Sequence, residues 1–299
     1  MLKKSNWLHL RIPFSYFLLP VYLFAISVGP NLSESGLLWI FIILHLFLYP
    51  ASNGYNSYFD KDEKSIGGLK NPPPVNKGLF YLSFLFDTLA LVLAYVFVNW
   101  TFLLMILVYS LVSRAYSHTS IRLKKYAWLS WLIAGFFQGA WVVWAVYLGL
   151  NDFPFTNVFK PHVLYPALLA SAILWGSYPM TQVYQHEEDA KRGDRTLSLV
   201  LGIKGTFVFT MLCFAVASGL FYWYFTEFSQ ARYGLIFLAA MGPVVLFFSW
   251  WFLKVLKDES AANFANTMRL NWISATCLGG FYLYFFLDST NILSVAGQY

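Results

Sequence analysis

The chain has 299 residues, of which 59% are hydrophobic, 21% aromatic and only 11% charged. A soluble domain carries about 25% charged residues, so this composition excludes one and describes a polytopic membrane protein. The net charge of +6 does not indicate a nucleic-acid partner, because the basic residues are spread over the connections between apolar runs.

Nine apolar runs are long enough to cross about 30 Å of hydrocarbon. They predict an all-α, polytopic bundle forming one transmembrane domain over 1–299, with spans near 13–30, 37–56, 79–98, 101–117, 127–149, 163–184, 205–226, 232–253 and 270–288. The first run follows Lys3, Lys4 and Arg11 like a secretory signal, but it contains Pro13 and Pro20 and lacks a small-residue cleavage site. It is therefore expected to be a retained helix. The second run carries His45, Asn53 and Asn56 and leads into Asp60-Lys61-Asp62-Glu63. The third contains Asp87. The fourth ends in Tyr116-Ser117, ahead of Arg122, Lys124 and Lys125. Gln138 lies inside the fifth, with Phe136, Phe137 and Trp141 beside it. The sixth ends in Tyr178, Gln182, Tyr184 and Gln185, and continues into His186-Glu187-Glu188-Asp189 and Gly193-Asp194-Arg195-Thr196. Cys213 and Cys277 fall within the seventh and ninth runs, where neither a disulfide nor a thiolate metal site is expected.

With nine spans, 18 of the 20 basic residues fall on the amino-terminal side, leaving Lys160 and Arg232 on the other. The positive-inside rule then puts the N-terminus in the cytoplasm and the C-terminus on the opposite side of a cytoplasmic (inner) or equivalent membrane. Both acidic clusters become cytoplasmic. Together they hold seven of the fourteen acidic residues, a concentration that points to a divalent cation and, through it, a polyanion.

At about 100° per residue, Asp60 lies roughly 40° from Asn56 and Glu63 roughly 20° to the other side. If the helix persists to Glu63, one amide and two carboxylates converge with Asn53 nearby. Continued as one helix, the sixth run places Gln182, Gln185 and Asp189 on one face with Tyr178 a turn below, and turns Glu188 toward solvent or a loop lysine. Metal candidates are therefore Asn56, Asp60, Glu63, Gln185 and Asp189. Basic groups beside them suit a diphosphate, which needs counter-ions and directed donors. Intramembrane His45, Asp87 and Gln138, together with Asn53, Tyr178 and Gln182, are candidates for lining a cavity or orienting an acceptor.

These residues resemble the UbiA superfamily of intramembrane prenyltransferases, which has nine transmembrane helices and two aspartate-rich motifs after helices two and six. Asn56-x-x-x-Asp60 matches the start of its first motif. Lys70-Asn71-Pro72-Pro73-Pro74 sits where members have a basic, proline-containing segment. Tyr116-Ser117 through Arg122-Leu123-Lys124 and Trp128 is similar to the loop of the chlorophyll-synthase and homogentisate branch. Glu187 through Leu197 resembles the second motif with its Gly-x-Arg/Lys-Thr tail. Two acids of the usual pattern are replaced, by Lys64 and by Gln185.

The resemblance implies Mg²⁺ as cofactor, and an isoprenyl diphosphate, a lipophilic acceptor and membrane lipids as partners. It also implies Asp60 and Asp189 as the catalytic acids, and Lys70, Arg122, Lys124 and Arg195 as the diphosphate-binding cations. The expected reaction is transfer of an isoprenyl group to a lipophilic, aromatic acceptor. A terpene cyclase of the same superfamily and a lipid-binding or transport protein are the alternatives.

Overall fold

The computed structural model describes residues 3–290. Among these, nine helical segments are long and apolar enough to cross a membrane: Lys4–Ser27, Glu34–Asp60, Lys77–Phe97, Trp100–Ser117, Ala127–Asn151, Pro161–Thr181, Leu197–Phe228, Ala231–Lys257 and Phe264–Ser289. The expected all-α bundle is borne out. The only extended pairings among the described residues are isolated bridges, Ile66 with Leu69 and Tyr126 with Arg195.

Asparagine side chains start three spans by accepting orphan helix N–H groups. Asn76 caps the third through Gly78 N (3.0 Å), Asn99 the fourth through Phe102 N (2.8 Å) and Asn263 the ninth through Asn266 N (3.1 Å). Aromatic rings bind neighbouring spans. Phe24 of the first stacks on Tyr282 of the ninth, and Phe221 of the seventh stacks on Phe237 of the eighth, each pair with centroids 4.5 Å apart.

Local breaks position the polar groups. Arg11 adopts a left-handed conformation (φ 49°) that divides the first span, and a 3-10 stretch from Ile12 to Leu18 follows, with Pro13 at its start. The fifth span breaks at Gly139, which contacts the sixth so closely that a Cβ there would lie 2.6 Å from the Ser171 backbone. The freed Ala140 N–H donates instead to Ser171 Oγ (2.9 Å).

The sixth span differs from the expected single helix. Its helix stops at Ser177, Pro179 opens a short 3-10 turn from Tyr178 to Thr181, and the acids occupy a separate helix, His186–Arg192. Proline lacks the N–H needed to continue the ladder, so a single helical period cannot run from Tyr178 to Asp189.

Two of the intramembrane candidates serve the bundle itself. His45 lies in a π-helical stretch from Ile43 to Leu48, donates from Nδ1 to the Ser15 carbonyl (3.1 Å) and packs among Tyr22, Phe41 and Tyr49. Asp87 is buried against the fourth span, where Arg114 donates to it from Nε (3.1 Å) and Nη2 (2.5 Å) and Ser110 donates from Oγ (3.1 Å). Neither borders the cavities described below. Breaking a buried ion pair from one side costs about 3–5 kcal/mol, because the remaining charge is stranded. Arg114→Ala should accordingly lower the thermal unfolding midpoint sharply, and Asp87→Asn combined with Arg114→Gln should restore most of the loss. A double variant no more stable than Arg114→Ala would contradict the stranded-charge account.

Candidate active site

The connections after the second, fourth and sixth spans meet at one end of the bundle. The second span ends at Asp60, and Lys61 (φ 51°) turns the chain out of the helix with its N–H on the Ser57 carbonyl (3.0 Å). The helical period therefore stops before Glu63, which is exposed and lies outside the site. Asp62 turns inward in its place, with only 5% of its side chain accessible, and pairs with Arg192.

Opposite, the short helix His186–Arg192 brings Asp189 and Arg192 to the same face, one turn apart, and Gly193 (φ 74°) ends it in the left-handed conformation. Asp189 accepts from Arg192 Nη2 (2.6 Å) and from Thr196 Oγ1 (3.2 Å). From the fourth connection, Arg122 donates to both oxygens of Asp194 (2.7 and 2.8 Å) and approaches Asp60 at 3.7 Å. Lys124, also buried, ion-pairs with Asp60 and lies 3.5 Å from Asp194. Four carboxylates, Asp60, Asp62, Asp189 and Asp194, thus interlock with Arg122, Lys124 and Arg192.

Electrostatics follow from this placement. Burial pushes the Asp189 carboxyl up to about 6, against the opposing pull of Arg192 and Lys124. Burial acts the same way on Asp194, but hydrogen bonds from Arg122 and the charges of Lys124 and Arg122 outweigh it and hold that carboxyl below its usual range. Glu187 is solvent-exposed and lowered to about 2 by hydrogen bonds from Lys191 and Lys64.

Glu188 does not meet solvent. It is buried, and Oε1 accepts the backbone N–H groups of Glu63 (3.0 Å) and Lys64 (2.9 Å), tying the two acidic segments together. The Lys64 side chain points outward to Glu187. Lys70 and Arg195 are exposed and border neither cavity; Arg195 joins the site only through its backbone N–H on the Lys125 carbonyl (3.3 Å).

A polar cavity of about 260 Å³ is lined by Asn53, Asn56, Asp60, Asp62, Lys124, Tyr178, Gln182, Gln185, Asp189 and Arg192. Arg11 also borders it, donating to the carbonyls of Gly67 and Asn53 (3.1 Å each) and so fastening the Asp62–Lys70 connection across the first span. Beyond it lies an apolar cavity of about 580 Å³ whose lining includes Phe17, Val21, Phe24, Leu174, Phe214 and Phe248. Asn53, Tyr109, Gln138 and Tyr178 line both. The Tyr116 and Tyr178 hydroxyls hydrogen-bond to each other here. Phe137 and Tyr184 border the polar cavity, whereas Phe136 and Trp141 pack outside it, the latter donating to the Met105 carbonyl (2.8 Å).

Magnesium takes oxygen ligands and commonly combines one or two carboxylates with phosphate oxygens and water. Asp60 with Asn56, and Asp189 with Gln185, offer such donors. The Asn56 amide donates to Ser117 Oγ (3.0 Å) and that of Gln185 to the Ser65 carbonyl (3.5 Å), leaving both amide oxygens without a hydrogen-bonding partner among the described residues. No three acidic, histidine or cysteine side chains among the described residues form a protein-only metal cage. The donor set therefore fits a cation held jointly by protein and phosphate.

Asp62, Arg192, Glu188 and Arg11 were not among the residues expected to build the site. For Arg192 a signal existed, since it lies three residues after Asp189 on a helix.

The profile of the UbiA prenyltransferase family matches residues 17–274. No protein of curated function matches the chain. Among solved structures, a UbiA homologue from Archaeoglobus fulgidus bound to DMAPP and Mg²⁺ superimposes with TM-score 0.68 at 15% identity, covering 97% of this chain and 100% of that one. An apo UbiA homologue from Aeropyrum pernix K1 gives 0.72 at 16% identity, covering 90% and 97%. A structure of digeranylgeranylglyceryl phosphate synthase gives 0.58 at 17% identity, covering 96% and 97%.

Proposed function

This chain belongs to the UbiA prenyltransferase family, and from that premise we propose that it is an Mg²⁺-dependent enzyme moving an isoprenyl group from its diphosphate to a lipophilic, aromatic acceptor. The carrying observation is the joining of a buried acid–base cavity to an apolar one through shared lining residues. A diphosphate head requires the first and an isoprenyl tail the second. The binding of DMAPP or GPP with Mg²⁺ by Archaeoglobus fulgidus homologues supports the same donor class.

Asp60 and Asp189 would hold the metal, with Asn56 and Gln185 as further oxygen donors. Bound there, Mg²⁺ would supply Lewis-acid stabilisation of the departing diphosphate. Lys124 and Arg192 contribute fixed positive charge to the same leaving group. Arg122, held by both oxygens of Asp194, keeps that part of the wall in place. As the allylic C–O bond breaks, its electron pair leaves with the diphosphate, and an acceptor carbon then captures the isoprenyl cation and releases a proton. Tyr109, Phe137 and Tyr178 present aromatic surfaces near the head cavity, where cation–π attraction favours the transient charge and their bulk excludes water.

The positive-inside distribution, 18 basic residues against two, supports a cytoplasmic site with the N-terminus on the same side.

Organic products settle the reaction class. Purified protein given geranyl, farnesyl or geranylgeranyl diphosphate should form a prenylated product only when a membrane lipid extract supplies an acceptor. A cyclised hydrocarbon formed from the donor alone would instead establish the cyclase reading.

A further inference from the structure

One side chain bridges the two acidic segments. Arg192 ion-pairs through Nη1 with Asp62, which follows the second span. It donates through Nη2 to Asp189 (2.6 Å) and through Nε to Asp194 (3.3 Å), both of which follow the sixth. The guanidinium also lines the cavity assigned to the diphosphate. Its neighbour Lys191 points the other way and pairs with exposed Glu187 (2.8 Å), so the short helix sorts one cation to solvent and one to the site.

The geometry points to Arg192 as a built-in cation that takes a second metal's place, so that the site binds a single divalent ion with each isoprenyl diphosphate. This rests on the prenyl-diphosphate reading above.

Three observations carry it. A metal bridging Asp62 and Asp189 would have to compete with a guanidinium already bound to one oxygen of each. Every carboxylate of the cluster has at least one basic partner, Asp60 through Lys124 and Asp194 through Arg122. The cavity-lining oxygens without hydrogen-bonding partners include Asp60 Oδ1, which meets Lys124 only as an ion pair, and the neutral amide oxygens of Asn56 and Gln185. Such a set suits one cation near Asp60 that completes its shell with phosphate oxygens. A guanidinium stays charged at any relevant pH and presents planar donors matched to phosphate oxygens, so it can neutralise the remaining part of the diphosphate without exchanging with solvent ions.

The test uses the full chain in detergent with geranyl S-thiolodiphosphate, an analogue that resists cleavage, and Mn²⁺ as a paramagnetic substitute for Mg²⁺. Equilibrium binding should saturate at one Mn²⁺ per protein, with an EPR spectrum free of exchange coupling. Arg192→Gln should weaken analogue binding at fixed Mn²⁺ by roughly tenfold to a hundredfold, the scale of a hydrogen bond to a charged group, and Arg192→Lys should recover part of it. Two Mn²⁺ per wild-type protein, spin-coupled as ions about 4 Å apart are, would overturn the inference and leave the donor class standing. Unchanged analogue affinity in folded Arg192→Gln would overturn it equally. Absence of analogue binding to the wild type at any Mn²⁺ concentration would refute the prenyl-diphosphate reading itself. The wild-type stoichiometry decides the matter even if the substituted proteins do not fold.

Discussion

Asp60→Ala and Asp189→Ala are each expected to lower Mg²⁺-dependent diphosphate release by about 10²–10³-fold, the scale on which one preorganised electrostatic contact to a developing anion acts. Both carboxylates line the cavity with only 5% and 6% of their side chains accessible, yet they come from segments more than a hundred residues apart. Removing Asp60 also leaves Lys124 with Asp194 as its remaining acidic partner, at 3.5 Å. Asp60→Asn keeps an oxygen donor without the charge and should fall between wild type and alanine. Glu63→Ala is the matching control. Glu63 is exposed beyond the helix end, so its loss should change release by about twofold at most, as surface substitutions do. A large effect at Glu63, with Asp60→Ala active, would mean that the acids are arranged differently during turnover.

Lys124→Met should lower release by about 10²-fold, while Lys70→Ala and Arg195→Ala should stay within about twofold of wild type. All three residues belong to the basic set that the motif resemblance assigns to the diphosphate. Lys124 alone of them is buried and borders the polar cavity. Methionine preserves much of the apolar stem and removes only the ammonium, so the comparison isolates charge from packing. Some stability should be lost as well, because Asp60 loses its close partner and keeps Arg122 only at 3.7 Å. The kcat/KM for release, measured on protein shown to be folded, checks the ranking. Equal losses at all three positions would indicate that the exposed pair closes over the substrate.

Much of this architecture was legible because membrane spans are written in composition. A span must satisfy its backbone internally and be apolar over about twenty residues, and the nine segments from Lys4 to Ser289 meet that requirement. Asn56, Asp60, Gln185 and Asp189 were legible for a similar reason. Each pair lies four residues apart within helical geometry, and all four line the same cavity. What failed was the continuation of that period past a helix end. Lys61 leaves the helix in a left-handed turn, which sends Glu63 to the surface and Asp62 inward. Pro179 likewise ends the sixth span early, although Gln182 and Tyr178 still reach the site by another path.

Long-range pairing was the other hidden part. Asp87 with Arg114, Glu188 with the N–H groups of Glu63 and Lys64, and Arg192 with Asp62 each join segments whose proximity only the fold creates. The spacing of Arg192 from Asp189 was readable in the sequence, but its pairing with Asp62 was not. The depth of the apolar cavity is also a consequence of helix packing, including the close contact at Gly139 that sets the fifth span against the sixth.

The central claim is prenyl-diphosphate chemistry at the joined acidic and apolar cavities. Its most direct test is diphosphate release by the purified wild-type protein from geranyl, farnesyl and geranylgeranyl diphosphates with lipid extract, in Mg²⁺ and in EDTA. The account predicts release in Mg²⁺, loss of release in EDTA, and recovery when Mg²⁺ is restored. No release from any donor by folded protein in Mg²⁺ would contradict it.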